Sequence, residues 1–150
     1  MKKRCIRRHY ALMNPITLAI SGACKVSEID LDKLRLRELS SIESFATNTA
    51  TLNDFRNICD MLNLAETLAL SGVGLEAMET CKEVQSALIE AKERYVETGN
   101  FGLPWIDLIA LRELYAWHDA QRDVIDRSEY ERAIQKTMNK IRSSHLRIWI

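Results

Sequence analysis

Thr51-Leu52-Asn53-Asp54-Phe55-Arg56-Asn57-Ile58-Cys59-Asp60-Met61-Leu62-Asn63-Leu64-Ala65-Glu66-Thr67-Leu68-Ala69-Leu70-Ser71-Gly72 reads as one complete helix with both ends marked. Thr51 and Asp54 stand at capping-box spacing, with Asp in place of the usual Glu. The Thr hydroxyl can accept from the amide three residues on, while the carboxylate accepts from the Thr amide. Phe55, Ile58, Cys59, Leu62, Ala65 and Leu68 then recur at three- and four-residue steps, which puts them in one stripe. Gly72 follows the last of them, where a left-handed residue commonly closes a helix.

The same grammar extends in both directions. Upstream, Ser27 or Asp30 opens a helix with Leu31, Leu34, Ile42 and Phe45 on one face, joined by Leu36 and Leu39, and Asn48-Thr49-Ala50-Thr51 breaks it. Downstream, a helix from about Leu75 to Thr98 points Met78, Cys81, Val84, Leu88, Ala91 and Tyr95 inward. Its outer face carries Glu76, Glu79, Glu83, Glu90, Glu93 and Glu97, and Gly99 ends it. Gly102-Leu103-Pro104 leads into the most apolar segment, with Trp105, Ile106, Leu108, Ile109, Leu111, Leu114, Tyr115 and Trp117. Ser128-x-x-Glu131 has capping-box form and opens a last helix with Ala133, Ile134, Met138 and Ile141 inward. Near the N-terminus, Asn14-Pro15 has the form of a helix start, and a short helix is expected to about Cys24. With only five Gly and two Pro in 150 residues, long helices are favoured over many short strands. The expectation is an all-α, single-domain helical bundle of five to six helices. A basic N-terminal arm occupies residues 1–13 and the bundle occupies 14–150.

Charge is unevenly placed. The chain is neutral overall with 21 basic and 21 acidic residues. Residues 1–37 hold nine Lys/Arg against three Asp/Glu, residues 38–131 hold seven against eighteen, and residues 132–150 hold five against none. Basic N- and C-terminal ends therefore flank an acidic body. Such asymmetry fits nucleic-acid contact, ends that fold back on the body, or a charge pattern that orients a partner.

Several chemistries find no support. Cys5, Cys24, Cys59 and Cys81 are far apart, without C-x-x-C or Cys/His metal spacing. No Glu-x-x-His occurs, as a di-iron bundle would require. Gly72-Val73-Gly74 is too short to cradle a phosphate. No apolar run reaches the length that spans a bilayer, and the chain reads as cytoplasmic with reduced thiols. No metal or cofactor is expected. An enzyme reading would have to rest on His118, Asp119 and Glu66. Adjacent helical residues such as His118 and Asp119 diverge by about 100°, so they cannot pair as a catalytic dyad. Asn63, Glu66, His118 and Gln121 are polar groups on apolar helices, and their ordinary role is buried hydrogen bonding. Glu66 to Val84 has a helix-turn-helix look, but Glu76, Glu79 and Glu83 on the second helix would repel phosphate, which favours an ordinary helical hairpin.

Two surfaces remain. The segment holding Trp105, Ile109, Tyr115 and Trp117 is apolar on more than one face, so it is either central to the bundle or shared with a protein partner. That partner is a host protein or a second copy, the latter making a homodimer. The alternative is non-specific nucleic-acid binding through the basic ends, with Arg4, Arg7 and Arg8 on one side and Lys136, Lys140, Arg142 and Arg147 on the other.

Across most of its length the chain resembles a group of small proteins encoded by proteobacterial prophages and other mobile elements. The residues that carry the resemblance are the Arg-rich start leading to Asn14-Pro15-Ile16, then Ala50-Thr51-x-x-Asp54, then Met61-x-Asn63-x-Ala65-Glu66-x-Leu68-Ala69-x-x-Gly72-x-Gly74. Thr98-Gly99 and His118-Asp119-Ala120-Gln121 complete it. The group has no assigned activity, so the resemblance implies a setting only: a bacterial cytoplasm and an accessory role in regulation or counter-defence.

Overall fold

A computed structural model describes residues 28–143. Five helices make up these residues: α1 Glu28–Ala46, α2 Leu52–Leu70, α3 Ala77–Thr98, α4 Trp105–Val124 and α5 Arg127–Ser143. No strand occurs among the described residues, and the fold is an all-α single-domain bundle. The basic arm 1–13, the expected helix from Asn14 to Cys24, and the tail beyond Ser143 lie outside the described residues.

The helix ends follow from local chemistry. At the start of α2 the capping box forms in full. The Asp54 amide donates to the Thr51 hydroxyl (3.3 Å), and the Thr51 amide donates to the Asp54 carboxylate (2.9 Å). Its far end is a Schellman motif, with Val73 N–H donating to Leu68 O and Gly72 N–H to Ala69 O, both at 3.0 Å. Gly72 sits at φ +94°, a conformation that strains any residue with a Cβ. At the start of α5 the box is shifted from its expected place. Asp126, not Ser128, is the cap: its carboxylate accepts from the Glu129 amide (2.8 Å) and Glu129 reaches back to the Asp126 amide (3.0 Å). Two overlapping sequences satisfied the same spacing rule, and the aspartate nearer the chain reversal is the one used.

The main core joins four helices. Ile42 and Phe45 of α1, Phe55, Ile58, Met61, Leu62 and Ala65 of α2, Cys81, Val84, Leu88 and Ala91 of α3, and Leu108, Leu111 and Leu114 of α4 are all buried together. Each large side chain so buried contributes roughly 1.5–3 kcal/mol. Phe101, in the loop between α3 and α4, is fully buried and anchors an aromatic stack. Its ring centroid lies 4.8 Å from Phe55, 4.2 Å from Tyr95 and 5.9 Å from Phe45. A smaller cluster of Leu68, Ile125, Tyr130 and Ala133 seats α5 on α2. There the Thr137 and Thr67 hydroxyls meet at 2.8 Å.

On α1 the inward face differs from the expected one. Leu36 and Leu39 point to solvent, at 72% and 46% exposure, while Glu38 and Ser41 are buried. The cause lies in what α1 packs against. Arg122 of α4 and Asn57 of α2 offer buried polar partners, so the acid and the hydroxyl turn inward. Arg122 donates to both Glu38 carboxylate oxygens (2.6 and 3.3 Å), and the Asn57 amide donates to the Ser41 hydroxyl (3.0 Å). A buried carboxylate is tolerated only with such pairing.

Candidate protein-interaction groove

The polar residues singled out in the sequence are mostly absorbed into the fold. His118 is completely buried, with Nδ1 facing Gln121 Oε1 at 3.2 Å. The Gln121 amide nitrogen donates to Ala65 O and Val73 O (3.1 and 2.8 Å), which ties α4 to the end of α2. This orientation makes Nδ1 the protonated nitrogen and leaves Nε2 a buried acceptor without a partner among the described residues. Burial, aided by the Arg122 cation, pushes the imidazole down to about 3, so His118 is neutral at physiological pH. Asp119 accepts from Arg35 Nε at 2.7 Å, and that hydrogen bond raises the guanidinium above its ordinary range. Glu66 pairs with Lys140 of α5 at 2.6 Å. His118, Asp119 and Glu66 thus each engage a structural partner. Burial likewise raises the thiols, Cys59 to about 12 and Cys81 to about 11. No group of three or more His, Cys, Asp or Glu placed to hold a metal ion is found among the described residues. No helix among them is long and apolar enough to cross a membrane.

Of the four residues expected at a protein interface, the structure separates two from two. Tyr115 is half-buried and packs against the main core, on the α1 side of α4, and Trp117 is half-buried. Trp105 and Ile109 are exposed, at 66% and 43%, and Ile106 beside them is 69% exposed. The Arg112 guanidinium lies 5.6 Å over the Trp105 ring, a cation–π contact along one face of α4.

Ile106 and Ile109 form the apolar wall of a depression between α3 and α4 of about 500 Å³. Ala87 and Ala110 line it, and their small side chains leave the space open. Glu83 and Glu90 of α3 and Asp107 and Glu113 of α4 border it, and no Lys or Arg among the described residues does. Helix geometry explains the arrangement. Glu83, Ala87 and Glu90 are spaced by four and three, as are Ile106, Ala110 and Glu113, with Ile109 three residues after Ile106, so each set lies along the edge its helix presents to the other. Both sets span eight residues, about 10 Å of helix from first to last. The sequence showed the acidic outer face of α3 and the apolar surplus of α4. That the two border one groove depends on how α3 and α4 pack.

The described part of the basic C-terminal patch is partly engaged with the body. Lys140 holds Glu66, and Lys136 Nζ donates to the Ser71 hydroxyl at 3.4 Å, while Arg142 is exposed in the last turn of α5. Arg4, Arg7, Arg8 and Arg147 lie outside the described residues.

No known protein family, curated protein or solved structure matches this chain.

Proposed function

We propose that this protein is a non-enzymatic interaction module that acts by binding another protein, a host factor or a second copy of itself, through the exposed end of α4. The observation that carries the reading is the grouping of Trp105, Ile106 and Ile109 in solvent beside an open groove. Large apolar and aromatic side chains left outside a well-filled core have a cost in water that a partner surface relieves. The absorption of His118, Asp119 and Glu66 into internal contacts adds support. The resemblance to proteins of prophages and mobile elements supplies the setting, a bacterial cytoplasm and an accessory role in regulation or counter-defence.

The alternative, nucleic-acid binding through the basic ends, predicts a different behaviour. Contacts to several phosphates weaken steeply with salt, and two of the described lysines already have partners on the body. A tagged pull-down from bacterial lysate, with and without nuclease, separates the two readings. A stoichiometric protein retained after nuclease is the expected result. A set of proteins that vanishes with nuclease treatment would replace this reading with the nucleic-acid one.

A further inference from the structure

The chemistry of the groove specifies its occupant. Its apolar elements are Ile106, Ile109, Ala87 and Ala110, and its border is Glu83, Glu90, Asp107 and Glu113. Glu83 and Asp107 have no ion-pair partner among the described residues. Glu90 has only a surface contact to Arg94 at 3.7 Å, and Glu113 accepts from the Thr80 hydroxyl at 3.4 Å. Four carboxylates around an apolar strip about two helical turns long form a negative frame around an apolar seat.

Symmetry argues against the same face of a second copy. In a two-fold contact a surface meets itself. The four carboxylates of one copy would then face the same four of the other, with no cation among the described residues lining the groove to offset them. Like charges set opposite one another disfavour association. A nucleic acid is disfavoured for the same reason.

Resting on the interaction reading above, we infer that the α3/α4 groove is the docking site for a basic amphipathic helix of a partner protein. Apolar residues of that helix at i, i+3 or i+4, and i+7 seat against Ile106, Ile109 and the two alanines. Lys or Arg residues flanking that stripe reach Glu83 and Glu90 on one side and Asp107 and Glu113 on the other. The apolar contacts supply most of the affinity, and the charges supply orientation and a fast, salt-sensitive encounter.

The test uses a designed probe, a helical peptide of Leu and Lys with one apolar stripe, titrated into the full-length protein by calorimetry. Saturable one-to-one binding is expected, weakening as salt is added. Ile106→Ser/Ile109→Ser should weaken it by about tenfold or more, while Ile89→Ser/Val96→Ser, on a different exposed stretch of α3, should leave it unchanged. Glu83→Lys/Glu90→Lys/Glu113→Lys should lose the Lys peptide and acquire a Leu/Glu peptide of the same pattern. These positions are at the surface, and matching thermal melts confirm that each variant is folded. A scrambled peptide of equal charge binding as tightly, or binding indifferent to the isoleucine pair, would overturn the inference. So would a peptide of residues 1–13 displacing the probe at equal affinity, because the occupant would then be this chain's own arm. If the probe fails while a nuclease-resistant partner is still captured, the groove assignment falls and the interaction reading stands. If both fail, both fall.

Discussion

Removing one member of the Glu38–Arg122 pair should be among the most damaging single changes in this bundle, and removing both should be nearly harmless. The two side chains are 3% and 1% exposed and joined by hydrogen bonds of 2.6 and 3.3 Å. In Glu38→Met the guanidinium stays buried and cannot shed its proton. Its remaining counter-charge is Asp119, 3.7 Å from Nε and itself partly exposed. Uncompensated buried charges cost about 3–5 kcal/mol, and the residual Asp119 contact places this one near the lower end, about 3 kcal/mol. For a domain of this size that lowers the melting temperature by roughly 10 °C. Arg122→Met should cost less, because burial raises the Glu38 carboxyl and lets it take up a proton; the cost of this variant should shrink as pH falls. The double variant replaces the pair with two apolar side chains of similar length and should lie within about 1 kcal/mol of the parent. Chemical denaturation of the four proteins followed by circular dichroism measures the cycle. A double variant as unstable as the sum of the singles would refute the reasoning, since zero coupling energy would mean that the two buried charges do not compensate one another.

Other consequences concern single groups. The His118 imidazole titrates near 6.5 in the unfolded chain and at about 3 in the folded one, so between these values the unfolded state binds the proton. Stability should therefore fall as pH drops below about 6.5, by about 2 kcal/mol between pH 7 and pH 5; a denaturation midpoint with the same pH slope in His118→Gln would exclude this group as the cause. Gly72→Ala meets no atom within 4 Å, yet it must hold φ +94°, so it should cost about 1 kcal/mol from backbone strain alone; an unchanged melting temperature would contradict the Schellman closure. With thiols raised to about 12 and 11, Cys59 and Cys81 should resist alkylation at pH 8 in the native protein and react in denaturant. Peptide mass mapping that finds both modified at equal rates in the two states would show these sites to be open.

The parts of the fold that could be read in advance were those set by local rules. The α2 capping box, the Gly72 closure and the three- and four-residue apolar spacing each depend on residues within a turn or two, and all three stand. What escaped the sequence depends on partners far along the chain. Leu36 and Leu39 fitted an apolar α1 face as well as Glu38 and Ser41 fitted a polar one. Only Arg122, 84 residues away, and Asn57 decide which face turns in. Phe101 sits in a loop where no periodicity flags it, yet it is the centre of the aromatic stack. Beside the groove, Trp105 and Ile109 were visible as surplus apolar residues, whereas Tyr115 on the same helix is half-buried against the core. A helix apolar on more than one face does not reveal which side its neighbours leave open. Half of the acidic border, Glu83 and Glu90, came from a different helix, and its place beside Ile106 is set by packing alone.

The most direct test of binding through the exposed end of α4 is a paired capture from nuclease-treated bacterial lysate, with the parent protein and folded Ile106→Ser/Ile109→Ser side by side. One stoichiometric protein on the parent, carrying a basic amphipathic helix, is expected, together with its loss from the variant. An identical set of proteins on both, or none on either, would contradict a role for the exposed end of α4 in binding.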